Sequence, residues 1–511
     1  MDLKLHGGPW ILPMPDLPHA PMPTYQGAGE IPQRCWVIIE VGAKQAFIFA
    51  SNRRRANAGA SALIGERFIS WVREAIARFG TDVDPVVPVV HVSGLAVLLV
   101  SDPDQGRAIV GEVTERAYRE APGLIVWGAV HDVTDDASKG LRETFDELRR
   151  VRVTRPAPAE LALRTPYTAP CQLTGQAAAA VVKTGGQELV VSAQMDACLT
   201  AGKDNRFSFL PGVQVNLDKD LAEHWVAVIH ADGNGFGAVF KKLAERECGS
   251  VEYVERYRAL SQAIEKVTTE AVQSAATALH QQIAEETGKE PSEWWLPLII
   301  AGDDVTALMD GRFARQFTVM LLEKFAALAS QDPAIRSEFG TSTPTMSAGI
   351  AYIKPHFPFH QAYDLAEELC SSAKTVPASV DLAKTGGSID FLVLHDSVAR
   401  SLGDLRRTVS MPDLDLPVVQ PWADVHGIKD LTQLIRLVGK SNDMEGATTE
   451  MASSSLVHEI RFALASGNVE VLKKARRKLP HELDRRVLVA DDIETVTSWL
   501  DAMTVADVER A

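Results

Sequence analysis

One order of segments runs through this chain twice, and it restricts the fold more than any other feature. The first pass occupies residues 35–155. "CWVIIEVGAKQAFIFAS" reads as a strand pair, with the β-branched run Val37, Ile38, Ile39 before a Gly-containing break. "GASALIGERFISWVREAIARFG" has helical spacing and stops at Gly80. "PVVPVVHVSGLAVLLVSD" gives two strands about Ser93-Gly94, "DQGRAIVGEVTERAYREAPG" a helix and "LIVWGAVHDV" a strand. The second pass occupies residues 223–395. "HWVAVIHAD" is a strand, "GFGAVFKKLAEREC" enters a helix and 257–286 is a long second helical region. "WWLPLIIAGDDVTALMD" is a hairpin, "RFARQFTVMLLEKFAALAS" a helix, "TPTMSAGIAYIK" a strand, "FHQAYDLAEELCSSAKT" a helix and "GSIDFLVLHDS" a closing strand. Both passes follow β-α-β-β-α-β, the ferredoxin-like plan. The expected fold class is therefore α+β, with two ferredoxin-like (βαββαβ) domains. A repeat this long means duplicated domains rather than a solenoid.

What lies outside the two passes sets the remaining boundaries. The chain of 511 residues is too long for one hydrophobic core. Residues 1–34 are Pro-rich and read as an extended segment. Residues 156–222, rich in Ala, Pro, Gly and Thr, read as a connector with small structure of its own. Residues 396–511 carry apolar positions at helical spacing ("LTQLIRLVG", "SLVHEIRFALAS") and read as a small helical domain. No run approaches the roughly 20 apolar residues of a membrane span. The N-terminus lacks the continuous apolar stretch of a secretory signal, and five scattered cysteines make no disulfide framework, so the cytoplasm is the default. Net charge is −15, which does not exclude nucleic acid where basic residues cluster. Arg53-Arg54-Arg55, "RRVRVTR" at 149–155 and "KKARRK" at 473–478 are such clusters, each equally readable as a solvated face.

The chemistry concentrates in the second pass. In "VAVIHADGNGFG" an apolar strand delivers Asp232 to its end, followed by Gly233, Gly235 and Gly237 and then a helix. Such a turn either simply reverses the chain or leaves backbone N–H groups facing phosphate oxygens at a helix N-terminus. The G-x-G-x-G spacing is not a dinucleotide fingerprint, and no P-loop Lys-Ser/Thr follows. In "IIAGDDVTAL" Asp303 and Asp304 tip a hairpin, where Gly-Asp is also ordinary turn chemistry. The β-α-β-β-α-β order places the first strand beside that hairpin, which brings Asp232 next to Asp303 and Asp304. Carboxylates grouped without Cys or His favour a hard cation such as Mg²⁺ or Mn²⁺. Two such ions can activate a hydroxyl and stabilise leaving pyrophosphate.

With these motifs in order, the second pass resembles the palm domain of nucleotidyl polymerases and cyclases. Within that superfamily the chain resembles the large palm-containing subunit of type III CRISPR effector complexes. The resemblance rests on "HADGNGFG", "AGDD" (Gly-Gly-Asp-Asp in the family), "SAGIAYIKPHFP", "AYDLAEELCSSAK" and "SIDFLVLHDS", with "GAKQAFIFASNRRRANAGASALIGE" matching the first palm. It runs from about residue 35 to 395. It implies that ATP is converted to cyclic oligoadenylate with release of pyrophosphate, in a complex with other effector subunits, guide RNA and target RNA. It carries Asp232, Asp303 and Asp304 over as ligands of two Mg²⁺ or Mn²⁺ ions and Lys374 as a triphosphate contact. Gly233, Asn234, Gly235, Phe236, Gly302 and Ser347 join as nucleotide-binding positions; the first palm forms a second wall, to which Arg54 and Gly59 to Ser61 belong unless they serve as a helix entry, which they fit equally well.

The chain also departs from the family. Ala301 replaces the first Gly of Gly-Gly-Asp-Asp, which strains the backbone if φ is positive there. The first palm has "VSGLAVLL" at the corresponding hairpin, with no acid at its tip, and Glu40 stands without partners. Of the family's paired zinc cysteines only Cys171 and Cys198 remain, opposite Thr174 and Met195, too few for a structural zinc. No HD nuclease domain is expected, since about 34 residues precede the first palm and the dipeptides His131-Asp132 and His395-Asp396 lie in strand contexts. Three readings stay open: a cyclic oligoadenylate synthase, a catalytically silent scaffold that senses target RNA, and a stand-alone palm cyclase making a cyclic dinucleotide.

Overall fold

The computed structural model describes residues 35–155 apart from 82–84 and 133–135, residues 167–204 apart from 185, and residues 225–409 apart from 247–248, 289–293, 376–386 and 395–400. Beyond these it describes only Glu459, Val471, Lys474, Val505 and Val508. The Pro-rich segment, His395-Asp396 and nearly all of the expected helical tail lie outside the described residues.

The first unit begins with β1 (Cys35–Gly42) and then α1 (Lys44–Ile48). A second strand was expected from "AFIFAS", and this is corrected. Ala43 takes φ +49, which ends the strand, and one helical turn then buries Phe47 and Ile48. α2 (Arg54–Ala62) follows, passes through a π-helical turn at Leu63–Arg67 and continues as α3 (Phe68–Phe79). β2 (Val87–Val92) and β3 (Leu95–Val100) form a hairpin. α4 (Pro103–Glu120) starts where Asp102 accepts the Asp104 and Gln105 N–H bonds, with Pro103 at its first position. β4 (Ile125–Asp132) and α5 (Ala137–Thr154) complete the unit. The sheet order is β2-β3-β1-β4, every pairing antiparallel.

The connector holds a hairpin, β5 (Ala180–Thr184) and β6 (Gln187–Val191), and α6 (Ala193–Asp204). α6 crosses α2 closely: a Cβ on Gly59 would overlap the Cys198 carbonyl, and one on Gly202 the Arg55 carbonyl. Cys171 and Cys198 are both buried in the same apolar cluster as α2 and β6.

The second unit has β7 (Val226–Gly233), α7 (Phe236–Ala244), the long α8 (Ser250–Thr287), β8 (Trp295–Ala301) and β9 (Asp304–Asp310). Then come α9 (Gly311–Ala329), α10 (Pro333–Phe339), β10 (Met346–Ile353), α11 (Phe359–Ala373) and β11 (Gly387–Val393). Its sheet order is β11-β10-β7-β9-β8, with β11 parallel to β10 and the other pairs antiparallel. Of the tail, α12 (Leu402–Val409) is described, and Val505 and Val508 pack into the second unit's core.

The two units share one core. Val37, Ile39 and Phe47 from the first lie in the same apolar cluster as Val228, Leu308 and Ile353 from the second. Polar ties cross the same seam. Gln45 Nε2 donates to Tyr363 Oη at 3.1 Å, Asn52 Nδ2 to Phe357 O at 3.2 Å, and Phe359 N to Asn52 Oδ1 at 2.9 Å. The Ser61 hydroxyl bonds the Leu298 carbonyl on edge strand β8. Among the described residues no helix is long and apolar enough to cross a membrane.

A candidate nucleotide site at the end of β7

The central strand β7 lies between β10 and β9, which brings the acids together. Asp232 pairs in register with Ser347 on β10. On the other side Ala231 pairs with Val305, so the next step along β7 meets the start of β9 at Asp304. Ala301 pairs with Asp304, which leaves Gly302-Asp303 as a two-residue hairpin loop. Gly302 takes φ +60, matching the preference of such loops for Gly in the first position. Ala301 itself carries no positive φ, because Ala43 is the sole such non-glycine among the described residues. The strain raised for Ala301 is therefore absent.

Burial and mutual repulsion shape the acids. Burial, then the Asp232 charge, push Asp303 up to about 6 and Asp304 up to about 7. Asp303 Oδ2 lies 2.7 Å from where a side chain on Gly233 would begin, so only glycine fits beneath it. The Lys374 ammonium forms an ion pair with Asp232. Burial alone would depress that lysine, but the Asp232 carboxylate holds it above its ordinary value. Asp304 Oδ1 is buried without a hydrogen bond and has His230 Nδ1 at 3.4 Å. Burial drives His230 down to about 4, so the imidazole is neutral at pH 7.

Several expected contacts are placed otherwise. The Ser347 hydroxyl is wholly buried and spent on Asn234 Oδ1 at 2.9 Å and Ser388 Oγ at 2.7 Å. Asn234 is tied to Thr345 through its backbone N–H at 2.8 Å and its Nδ2 at 3.0 Å. Both side chains therefore brace the turn instead of facing a ligand. The Phe236 ring is in the core, edge-on to Phe325 and Phe339, which leaves its backbone as the available group. Gly235 takes φ +82 as the residue before α7, where the first N–H groups of the helix are exposed to a ligand. In the first unit Arg54 is buried, and Gly59 and Ser61 are committed to α6 and β8 rather than to a cleft. Glu40, expected to stand alone, pairs with Arg152, whose guanidinium also lies 5.7 Å from the Trp127 ring centre. His131 sits on β4, and Asp132 accepts from Cys35 Sγ at 3.1 Å.

Sequence reasoning missed three neighbours. Glu265 on α8 accepts from Gly302 N–H, and burial pushes its carboxyl up to about 7. Burial lowers Lys44 below its ordinary value, and the charges of Asp304, Glu40 and Glu265 oppose that shift. Tyr363 stacks on Phe49 at 5.3 Å and meets His230 edge-on at 5.4 Å. Glu265 gives no signal in a helix with many charges. Lys44 was hidden by the strand reading of its segment.

As donors, the three aspartates suit a hard divalent cation: every ligand atom is oxygen, one buried oxygen lacks a partner, and the acids repel one another. In the present arrangement the positive charge on Asp232 is Lys374, and among the described residues no three His, Cys, Asp or Glu side chains are gathered as metal ligands.

A pH test follows from the raised carboxyls. Asp303, Asp304 and Glu265 hold protons in the folded chain at pH values where the unfolded chain has released them. Their stabilising contribution is full below about pH 4 and is lost as pH rises to about 7. Melting in chelator between about pH 5 and pH 8 should show this decline, and Asp303→Asn with Asp304→Asn should flatten it.

Comparison with known proteins agrees with this fold. Residues 225–379 match the family model for Cas10/Cmr2, second palm domain. A solved Csm1-Csm4 cassette in complex with cA4 superposes with TM-score 0.53 at 12% identity, covering 94% of this chain and 70% of that one. The same cassette with pppApApA gives 0.53 at 12% identity, covering 95% and 71%. A Csm1-Csm4 subcomplex of the type III-A CRISPR-Csm interference complex gives 0.52 at 12% identity, covering 94% and 70%. No curated protein sequence is matched. The chain is thus a palm-domain protein of mixed α+β fold. More particularly, its palm is Cas10-like.

Proposed function

We propose that this chain converts ATP into cyclic oligoadenylate with release of pyrophosphate, as a subunit of a target-RNA-activated type III CRISPR complex. One observation carries the reading: Asp232, at the end of β7, meets Asp303 and Asp304 of the neighbouring hairpin, with Lys374 ion-paired at the same point. The two sheets are read as two ferredoxin-like palms, spanning 35–155 and 223–395, of which the second is catalytic. Residues 156–222 are the connector, packed by apolar contacts around Cys171 and Cys198 without zinc, and 396–511 the helical domain. Csm1-Csm4 assemblies supply the analogy for protein partners, and guide and target RNA enter through the family resemblance.

In the reaction, the 3′-oxygen of one ATP bonds to the α-phosphorus of another while the bond to the β-phosphate oxygen breaks. Asp232, Asp303 and Asp304 would hold Mg²⁺ or Mn²⁺. A bound divalent ion supplies Lewis acidity to the attacking hydroxyl and charge neutralisation to pyrophosphate. The chain's own part is placement and electrostatics. Lys374 presents an ammonium that can pass from Asp232 to a phosphate oxygen. The N–H groups from Gly235 into α7 face anionic oxygen, while Asn234, Thr345 and Ser347 hold that turn rigid. The neutral His230 and buried Tyr363 line the apolar side of Asp304.

A silent, scaffolding palm is the second reading, favoured by the absence, among the described residues, of three gathered metal ligands. Pyrophosphate release separates the readings. The chain alone and the assembled complex with target RNA are each given ATP and Mg²⁺ or Mn²⁺. Release only from the target-bound complex is expected. Release from the chain alone points to a stand-alone cyclase, and none from either to the scaffold.

A further inference from the structure

The acidic hairpin is held from two sides, and one of them belongs to the other unit. From below, the Glu265 carboxylate on α8 takes the Gly302 N–H, the first peptide of the loop that carries Asp303 and Asp304. From across the seam comes Lys44, the first residue of α1. Its ammonium donates to the Ser93 carbonyl at 3.1 Å, at the tip of the first sheet's own β2–β3 hairpin. Gly94 beside it, at φ +74, leaves room that a side chain would take, since a Cβ there would lie 2.6 Å from Lys44 Cε. Ala43, immediately before Lys44, is held in the left-handed region that non-glycine residues avoid, and that turn ends β1 and starts α1 at Lys44. Lys44 is thus bonded to the tip of the hairpin without acids, and the charge of Asp304 on the other hairpin acts on it. The carboxylates whose charge opposes the effect of burial on it are Asp304, Glu40 and Glu265.

A neutral amide at 265 would accept the Gly302 bond without adding a third negative charge beside two aspartates. A carboxylate there is costly to bury, and the Lys44 charge favours its ionised form. We propose that Glu265 and Lys44 are positioning residues for the acidic loop: Glu265 fixes the Gly302-Asp303 peptide, and Lys44 makes that placement depend on docking of the first unit. The first palm, which has no acids at its own hairpin, then contributes to the site by supplying the counter-charge. This rests on reading Asp303 and Asp304 as the nucleotide-handling acids.

The test uses the full chain and its assembled complex, with Glu265→Ala, Glu265→Gln and Lys44→Met. Hydrogen exchange of residues 302–304 reads positioning without reference to activity. It is expected to speed about 10-fold or more in Glu265→Ala and in Lys44→Met, and to return near the wild-type rate in Glu265→Gln, whose amide oxygen still accepts the bond. In the target-bound complex Glu265→Ala should lower kcat for ATP about 10-fold to 100-fold while KM stays within about twofold. Unchanged exchange at 302–304 in either Glu265→Ala or Lys44→Met overturns the proposal. So does faster exchange spread through α8 and the whole sheet, which marks a merely structural residue. If the wild-type complex turns over no ATP, the proposed function fails, while the exchange measurement still decides the positioning of the loop.

Discussion

Asp303→Ala combined with Asp304→Ala is expected to lower ATP turnover by the target-bound complex at least about 1,000-fold, because both groups act on the same reacting phosphate. The loss should appear in kcat, and it should not come from unfolding. In the metal-free chain these carboxyls are strained by burial and by the Asp232 charge, which push them up to about 6 and about 7. Removing them relieves that strain, so the double variant should melt at or above the wild-type temperature near pH 8. Calorimetry in chelator checks the stability and pyrophosphate release checks the activity. A variant that loses both together would place the aspartates in the scaffold of the hairpin instead of its chemistry.

Gly349→Val is expected to give the largest loss of stability among single changes near the site. Gly349 lies on β10, two residues past Ser347, with α11 directly against it. A Cβ there would overlap the Ala366 carbonyl oxygen and the Cys370 nitrogen and lie 2.7 Å from Leu369 Cβ. Backbone cannot give way as a flexible side chain can, so strand and helix must separate, at a cost of about 3 kcal/mol or more. The same separation carries Lys374, at the end of α11, away from Asp232. Urea denaturation measures the cost, and weaker ATP binding by the residual folded protein should accompany it. Gly237→Ala is the control: nothing lies within 4 Å of a Cβ at that position in α7, so it should be neutral or slightly stabilising.

The sheets and their hairpins were legible because alternating apolar runs and the Ser93-Gly94 and Gly302-Asp303 turns are local signals. Asp232, Asp303 and Asp304 followed from strand order alone: with the hairpin beside the first strand, the end of one meets the start of the other. What escaped depended on tertiary packing. "AFIFAS" has the residue types of a strand, yet Phe47 and Ile48 reach the shared core only from a helical turn after Ala43. Ser347 and Asn234 have the right polarity for nucleotide contacts, but their partners, the Thr345 and Ser388 hydroxyls, come from neighbouring segments that spacing does not reveal. Phe236 follows a Gly-rich turn, and nothing local says that Phe325 and Phe339 wait to receive its ring. Glu265 is one acid among many on α8; its role appears only when the hairpin loop is laid against it.

The most direct measurement is the identity of the product. The assembled complex, bound to matching target RNA, is incubated with ATP and Mg²⁺ or Mn²⁺, and the nucleotides are resolved by mass spectrometry. The account predicts cyclic oligoadenylates joined 3′ to 5′, formed with pyrophosphate and absent when Asp303 and Asp304 are both alanine. Unchanged ATP from the target-bound wild-type complex, or the same products from the double variant, would contradict it.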